Sequence, residues 1–237
     1  MDPVYLLIVV FGLLISGVAS FLVKSRFKTG QKVVISSGLT GAEVAAAILA
    51  DANITDVQIL ETQGFLGDYY NPLNKTLNLS REVYHGRNAS AAGVAAHEVG
   101  HALQHAGNYF PMWLRSFIVP VAGVGGNLGP WIVIAGIILM SLSAAYGNIG
   151  YQIAVFGVAL FGVATLFSFV TVPVEFNASS RAKKRLAHLN IVRPGKESEA
   201  VAGVLLAAGL TYVAAAITSF LQLVYWAWRA GLLGNRR

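Results

Sequence analysis

The sequence predicts a mainly α-helical membrane protein, with about four transmembrane helices and a small α+β domain that carries a short sheet. Of its 237 residues, 55% are hydrophobic and only 12% are charged, which is far from the balance of a soluble domain. The apolar residues lie in long runs with almost no charge, and such runs need lipid around them. Most of the acidic side chains fall instead in residues 27–110, where capping signals and strand-like runs alternate.

The first apolar run, residues 4–23, is long enough to cross a bilayer as a helix, and Lys24, Arg26, Lys28 and Lys32 follow it. Residues 1–26 therefore read as an N-terminal anchor whose C-terminal end faces the cytoplasm. Asp2, with no basic residue before it, argues against a cleaved signal peptide. Residues 27–116 read as a small α+β domain. Thr40 and Glu43 have the spacing of a capping box and predict a helix over residues 41–52. Strand-forming runs at 57–60 and 76–79 flank a turn-rich stretch and predict a small sheet. A second helix is expected from about Ser90 to His105, stopped by Gly107 and Asn108.

Residues 117–174 read as a transmembrane hairpin, with apolar runs at 117–143 and 151–174 around an uncharged turn. Arg115 stands at one end and Arg181, Lys183, Lys184 and Arg185 at the other, so both ends are expected in the cytoplasm. A membrane-proximal segment, residues 175–200, follows, with a short helix expected to open at Glu175. The last apolar run lies within residues 201–237. A full crossing there would put Arg229, Arg236 and Arg237 outside, against the positive-inside tendency, so this segment is expected to be transmembrane or re-entrant.

The net charge of +6 comes from basic residues that flank the apolar runs; they read as topology signals, and no nucleic-acid partner is expected. The chain has no cysteine, so any metal must be held by nitrogen and oxygen. The ligands are at hand in His97-Glu98-Val99-Gly100-His101. On a helix of 3.6 residues per turn, His97 and His101 project from one face and can share a tetrahedral cation. Glu98 sits beside the first ligand, where its carboxylate can reach a metal-activated water as general base. Gly100 leaves room for another element to approach, and Ala95, Ala96, Val99 and Ala102 can seat the helix in a core.

A hydrolytic zinc site needs a third protein ligand and an open fourth position. Downstream of Glu98 the only carboxylates are Glu175, Glu197 and Glu199, and after His101 the only histidines are His105 and His188. One straight helix cannot wrap three of its turns around one ion, which sets His105 aside. Glu197 and Glu199 sit in a polar, loop-like stretch. Glu175 follows an apolar crossing, and a hairpin of two crossings returns it to the side of the histidine helix. The expected site is therefore His97, His101 and Glu175 as metal ligands with Glu98 as the catalytic base. Tyr70, Tyr84, His85 and His188 are candidate donors to an oxyanion, and residues 75–79 are a strand that could pair with an extended substrate.

Several of these segments together resemble a known family. Leu66-Gly67-Asp68-Tyr69-Tyr70-Asn71-Pro72, Thr76-Leu77-Asn78-Leu79-Ser80, Val83-Tyr84, Ser90, the stretch from Ala95 to Gln104, and Val174-Glu175-Phe176-Asn177-Ala178-Ser179 resemble the YugP-like bacterial membrane zinc metallopeptidases. The resemblance covers nearly the whole chain. It implies a zincin-like catalytic domain, a Zn2+ cofactor, peptide or protein substrates, and a multi-pass protein of the bacterial inner (plasma) membrane with its active site on the cytoplasmic side. More distantly the chain resembles the HtpX group of gluzincins, whose third ligand is a glutamate followed four positions later by an aspartate. Here that later position is Ser179, which offers a hydrogen bond but no charge.

Two rival readings are available. Asn127-Leu128-Gly129-Pro130 faintly echoes a motif of intramembrane site-2 proteases, but no aspartate follows it to complete their ligand set. A non-catalytic zinc-binding scaffold or metal carrier has no need of a base such as Glu98 beside an open metal site.

Overall fold

The apolar runs become long helices, and the acidic stretch between them folds into short helices and a three-stranded sheet. The computed structural model describes residues 2–64 and 67–234. Leu66 of the motif above, and Arg236 and Arg237 of the C-terminal basic group, lie outside the described residues. In chain order the helices are α1 (Pro3–Gln31), α2 (Gly41–Asp51), α3 (Arg81–Tyr84), α4 (Ala89–Ala106), α5 (Phe110–Leu142), α6 (Gly147–His188) and α7 (Lys196–Arg229). The strands are β1 (Gln58–Thr62), β2 (Tyr69–Asn71) and β3 (Thr76–Ser80). The protein is thus mainly helical with a small sheet, as its sequence predicts.

Among the described residues four helices, α1, α5, α6 and α7, are long and apolar enough to cross a membrane. Two compact units share them: one comprises Met1–Gly17, Leu114–Val172 and Tyr212–Arg237, the other Val18–Trp113 and Pro173–Thr211. Among the described residues, the first unit's only charged side chains are Asp2, Arg115 and Arg229. Its apolar side chains point outward: Leu7, Leu13 and Trp131 are 70%, 68% and 69% exposed, the mark of a surface that faces lipid. Within this unit α5 and α6 approach until backbones touch. A Cβ added at Gly157 would sit 2.7 Å from the Val133 nitrogen, and one at Gly136 2.5 Å from the Ala154 nitrogen. Small residues allow this contact, which packing alone must hold in lipid. Arg229 is not isolated, since its guanidinium lies 3.7 Å from the Asp2 carboxylate.

Three boundaries differ from the expectation. The helix expected to open at Glu175 is the continuation of α6, 42 residues long and running through Pro173. The sequence after the crossing changes polarity but keeps good helix formers, and one proline does not stop a transmembrane helix whose neighbours support it. Strand β2 lies in the stretch that reads as turns, because three residues are too few to show a period. Glu197 and Glu199, expected in a solvated loop, form the first turn of α7, where acidic side chains suit the helix dipole.

The second unit is built on α4. Its Asn88 cap accepts from the Ala91 N–H at 3.0 Å, and its stop is Gly107 followed by Asn108 at φ +48°. The capping box of α2 forms as predicted, with Thr40 and Glu43 each bonding the other's backbone N–H. Ala95, Ala96, Val99 and Ala102 are all buried, in one core with Phe27, Ile48, Leu77, Leu79, Leu186 and Val204. The sheet order is β1-β3-β2, with β1 parallel and β2 antiparallel to the central, wholly buried β3. Both edges of β3 are therefore paired within the chain, and the expectation that residues 75–79 receive an extended substrate is corrected.

Candidate metal centre

Two helices of one unit build the site. Residues 97 and 101 stand on one face of α4, and opposite them α6 presents Glu175 and, one turn on, Ser179. The helices come this close because position 100 is glycine: an added Cβ would lie 2.6 Å from the carbonyl oxygen of Ala178. The role foreseen for Gly100 is thus visible, with Ala178 as the approaching backbone.

His97, His101 and Glu175 each bring one ligand atom to a common point, all within 4.8 Å of one another. The Glu175 carboxylate lies 3.1 Å from His97 Nε2 and 3.5 Å from His101 Nε2, and it is 2% exposed. Two imidazole nitrogens and one carboxylate oxygen form a donor set that suits zinc and leaves a coordination position open. Burial works against protonation of His101, but the carboxylates of Glu175 and Glu98 outweigh it and hold its pKa above the ordinary histidine value.

Each histidine is oriented from behind by a neutral group. His97 Nδ1 lies 3.1 Å from Ser179 Oγ. His101 Nδ1 lies 3.0 Å from Gln104 Oε1. Gln104 is fully buried, and its amide donates to the Val174 carbonyl at 2.7 Å and to Asn177 Oδ1 at 3.0 Å. It thus ties the second histidine to the helix that carries Glu175. Sequence reasoning quoted Gln104 in a motif but gave it no role; its place one turn beyond His101 was the available signal.

Glu98 is buried, and its Oε2 accepts from the Tyr70 N–H at 3.0 Å, so strand β2 reaches the carboxylate. Beside it, Asp68 accepts from both the N–H and the hydroxyl of Ser80, at 2.7 and 3.0 Å. Burial, with the Glu98 charge adding to it, pushes the Asp68 carboxyl up to about 6 against those hydrogen bonds. Neither Asp68 nor Ser80 was foreseen as part of this surround. The other candidate donors have partners elsewhere: Tyr70 Oη lies 2.8 Å from His105 Nδ1, His85 lies against Glu61 at 3.1 Å, and His188 against Asp51 at 3.8 Å. Tyr84 meets the ring of His85 edge-on.

Comparison with known proteins agrees with this geometry. Residues 5–231 match the model of a family described as "Putative neutral zinc metallopeptidase". The chain belongs to that family. It is also 44% identical over 206 residues to the "Putative membrane protease YugP" of Bacillus subtilis (strain 168), covering 87% of each chain. No solved structure matches the chain. Within the family's matched span lie all four of His97, Glu98, His101 and Glu175.

Proposed function

We propose that this protein is a membrane-bound zinc endopeptidase that hydrolyses peptide bonds near the cytoplasmic face of the bacterial inner membrane. The observation that carries the reading is the convergence of His97, His101 and Glu175, from helices 78 residues apart in the chain at His97 and Glu175, with Glu98 beside them. A zinc ion held by the three would acidify a water and polarise the scissile carbonyl. Glu98 takes the proton from the attacking water and passes it to the leaving amine. The Tyr70 N–H binds one carboxylate oxygen of Glu98, so in this reading the other is the one that takes the proton. Ser179 and Gln104 fix the two imidazole planes. The unit that holds the site also carries Lys24, Arg26, Lys28 and Lys32 together with Arg181, Lys183, Lys184 and Arg185, which supports a cytoplasmic placement.

The test measures bound zinc and peptide cleavage in wild type, Glu98→Gln and Glu175→Ala. Glu98→Gln is expected to keep zinc and lose cleavage, and Glu175→Ala to lose zinc affinity. Normal cleavage by Glu98→Gln would overturn the mechanism, and wild-type zinc binding by Glu175→Ala would overturn the third ligand.

A further inference from the structure

His105 is the one histidine of α4 that the metal cluster does not use. Together with Glu98 and Ala102 it forms a stripe at spacings of four and three residues, so the three share a face of the helix next to the one that carries His97 and His101. Tyr70 of β2 touches both ends of that stripe. Its N–H donates to Glu98 Oε2 at 3.0 Å, and its hydroxyl lies 2.8 Å from His105 Nδ1. Tyr70 stands opposite Leu77 in the sheet, yet its N–H is directed to α4.

Tyr70 packs against the rim of the core, and the pair also borders open space. Tyr70, Ala102 and His105 line an open cavity of about 360 Å³, bordered also by Asp56 and Lys75, and both rings are half-buried. Packing on one side alone does not fix where the phenol hydroxyl points; the directional contact there is the bond between the phenol and the imidazole. Strand β2 is only three residues long, so its own ladder holds it weakly.

We infer that His105 and Tyr70 are a positioning pair for Glu98: the phenol–imidazole bond fixes β2 against α4 and thereby holds the Tyr70 N–H on the carboxylate. This rests on the reading of Glu98 as the general base. Neither residue touches the reacting atoms; they set which carboxylate oxygen faces them. An apolar cavity wall at the same place would leave the Glu98 carboxylate free to rotate.

Amide hydrogen exchange of the full-length protein in detergent tests the pair without reference to turnover. In Tyr70→Phe and in His105→Ala, protection of the residue 70 amide is expected to fall at least roughly tenfold, while the Leu77 and Asn78 amides keep theirs. The double variant should lose no more than either single one, because one bond is removed in each case. His105→Gln, which restores an acceptor, should recover most of the protection. On any peptide that wild type cleaves, the single variants should keep zinc content and KM and lose about tenfold in kcat, with recovery in His105→Gln. Unchanged protection at residue 70 would overturn the inference, and so would an equal loss at residues 77 and 78, which marks general loosening. Glu98→Gln separates the two levels. If that variant cleaves normally, the base assignment fails; if it is dead while Tyr70→Phe keeps full kcat, only the positioning role fails.

Discussion

Gly100→Ala adds one methyl group where α4 and α6 meet, and the structure sets the size of the effect. The new Cβ would lie 2.6 Å from the Ala178 carbonyl oxygen, 3.0 Å from its carbon and 3.1 Å from its Cα. All three are backbone atoms, so no side-chain rotation relieves the clash. Carbon–oxygen contacts settle at about 3.3 Å or beyond, so the helices must part by roughly 0.7 Å. Position 100 lies between His97 and His101, and Ala178 between Glu175 and Ser179, so the displacement separates the ligand atoms themselves. Metal sites accept deviations of only about 0.2 Å, which the displacement exceeds several-fold. Stability is the poorer readout, because overpacking costs about 1–3 kcal/mol while replacing a mid-helix glycine by alanine returns nearly 1 kcal/mol. Zinc affinity is the sharper one and should fall by roughly 10–100-fold in a competition titration against a chromophoric chelator. Gly93→Ala on the same helix is the control: its Cβ would meet Val201 Cγ1 at 3.3 Å, a side-chain atom that can give way, and zinc affinity should hold. Binding by Gly100→Ala within threefold of wild type would refute the claim that this contact sets the ligand geometry.

Two further outcomes follow from the surround of the site. Gln104→Leu removes the acceptor behind His101 and the donor to Val174, and should lower zinc affinity by about 10–100-fold in the same titration, with the helix content by circular dichroism unchanged. Asp68 has a folded pKa of about 6, above its ordinary value, so the folded state holds an extra proton: its contribution to stability is full below about pH 4 and declines as pH rises to about 6, by at most roughly 3 kcal/mol. Asp68→Asn in metal-free protein should flatten the fall of Tm between those pH values; an unchanged slope would show that another group causes it.

The legible part of this molecule was whatever rests on local periodicity or on composition. The long apolar helices, the Thr40–Glu43 capping box and the stop at Gly107 and Asn108 are each set by neighbouring residues, and each forms where the sequence places it. The nearness of Glu175 to the histidines was legible for a different reason: with no cysteine and few carboxylates downstream, the candidates for a third ligand could be counted, and the structure places that carboxylate beside both imidazoles. What stayed hidden rests on contacts between distant segments. Strand β2 has no period to read, and its importance comes from a single backbone N–H aimed at Glu98. The pairing of β3 on both sides depends on how β2 folds back, and so the substrate strand was misjudged.

The same distinction governs the groups behind the ligands. Ser179, four residues after Glu175, could be picked out from its spacing, but nothing local marks His101 as also backed by a neutral group. With Ser179 Oγ on His97 and Gln104 Oε1 on His101, neither imidazole has a carboxylate behind it. Charge enters instead through Glu175 directly, with Glu98 also acting on His101 and Asp68 near Glu98. A neutral partner raises imidazole basicity less than a carboxylate does, so it withdraws less positive character from a bound cation. A metal held there would be bound less tightly than at a site with acidic support and would be the stronger acid toward water. That would give weight to the geometry of the neutral partners, because neither imidazole has a carboxylate behind it to compensate when they shift. It is the reason a single methyl group at position 100, which moves Ser179 and Glu175 together, is expected to act through the metal rather than through the stability of the fold.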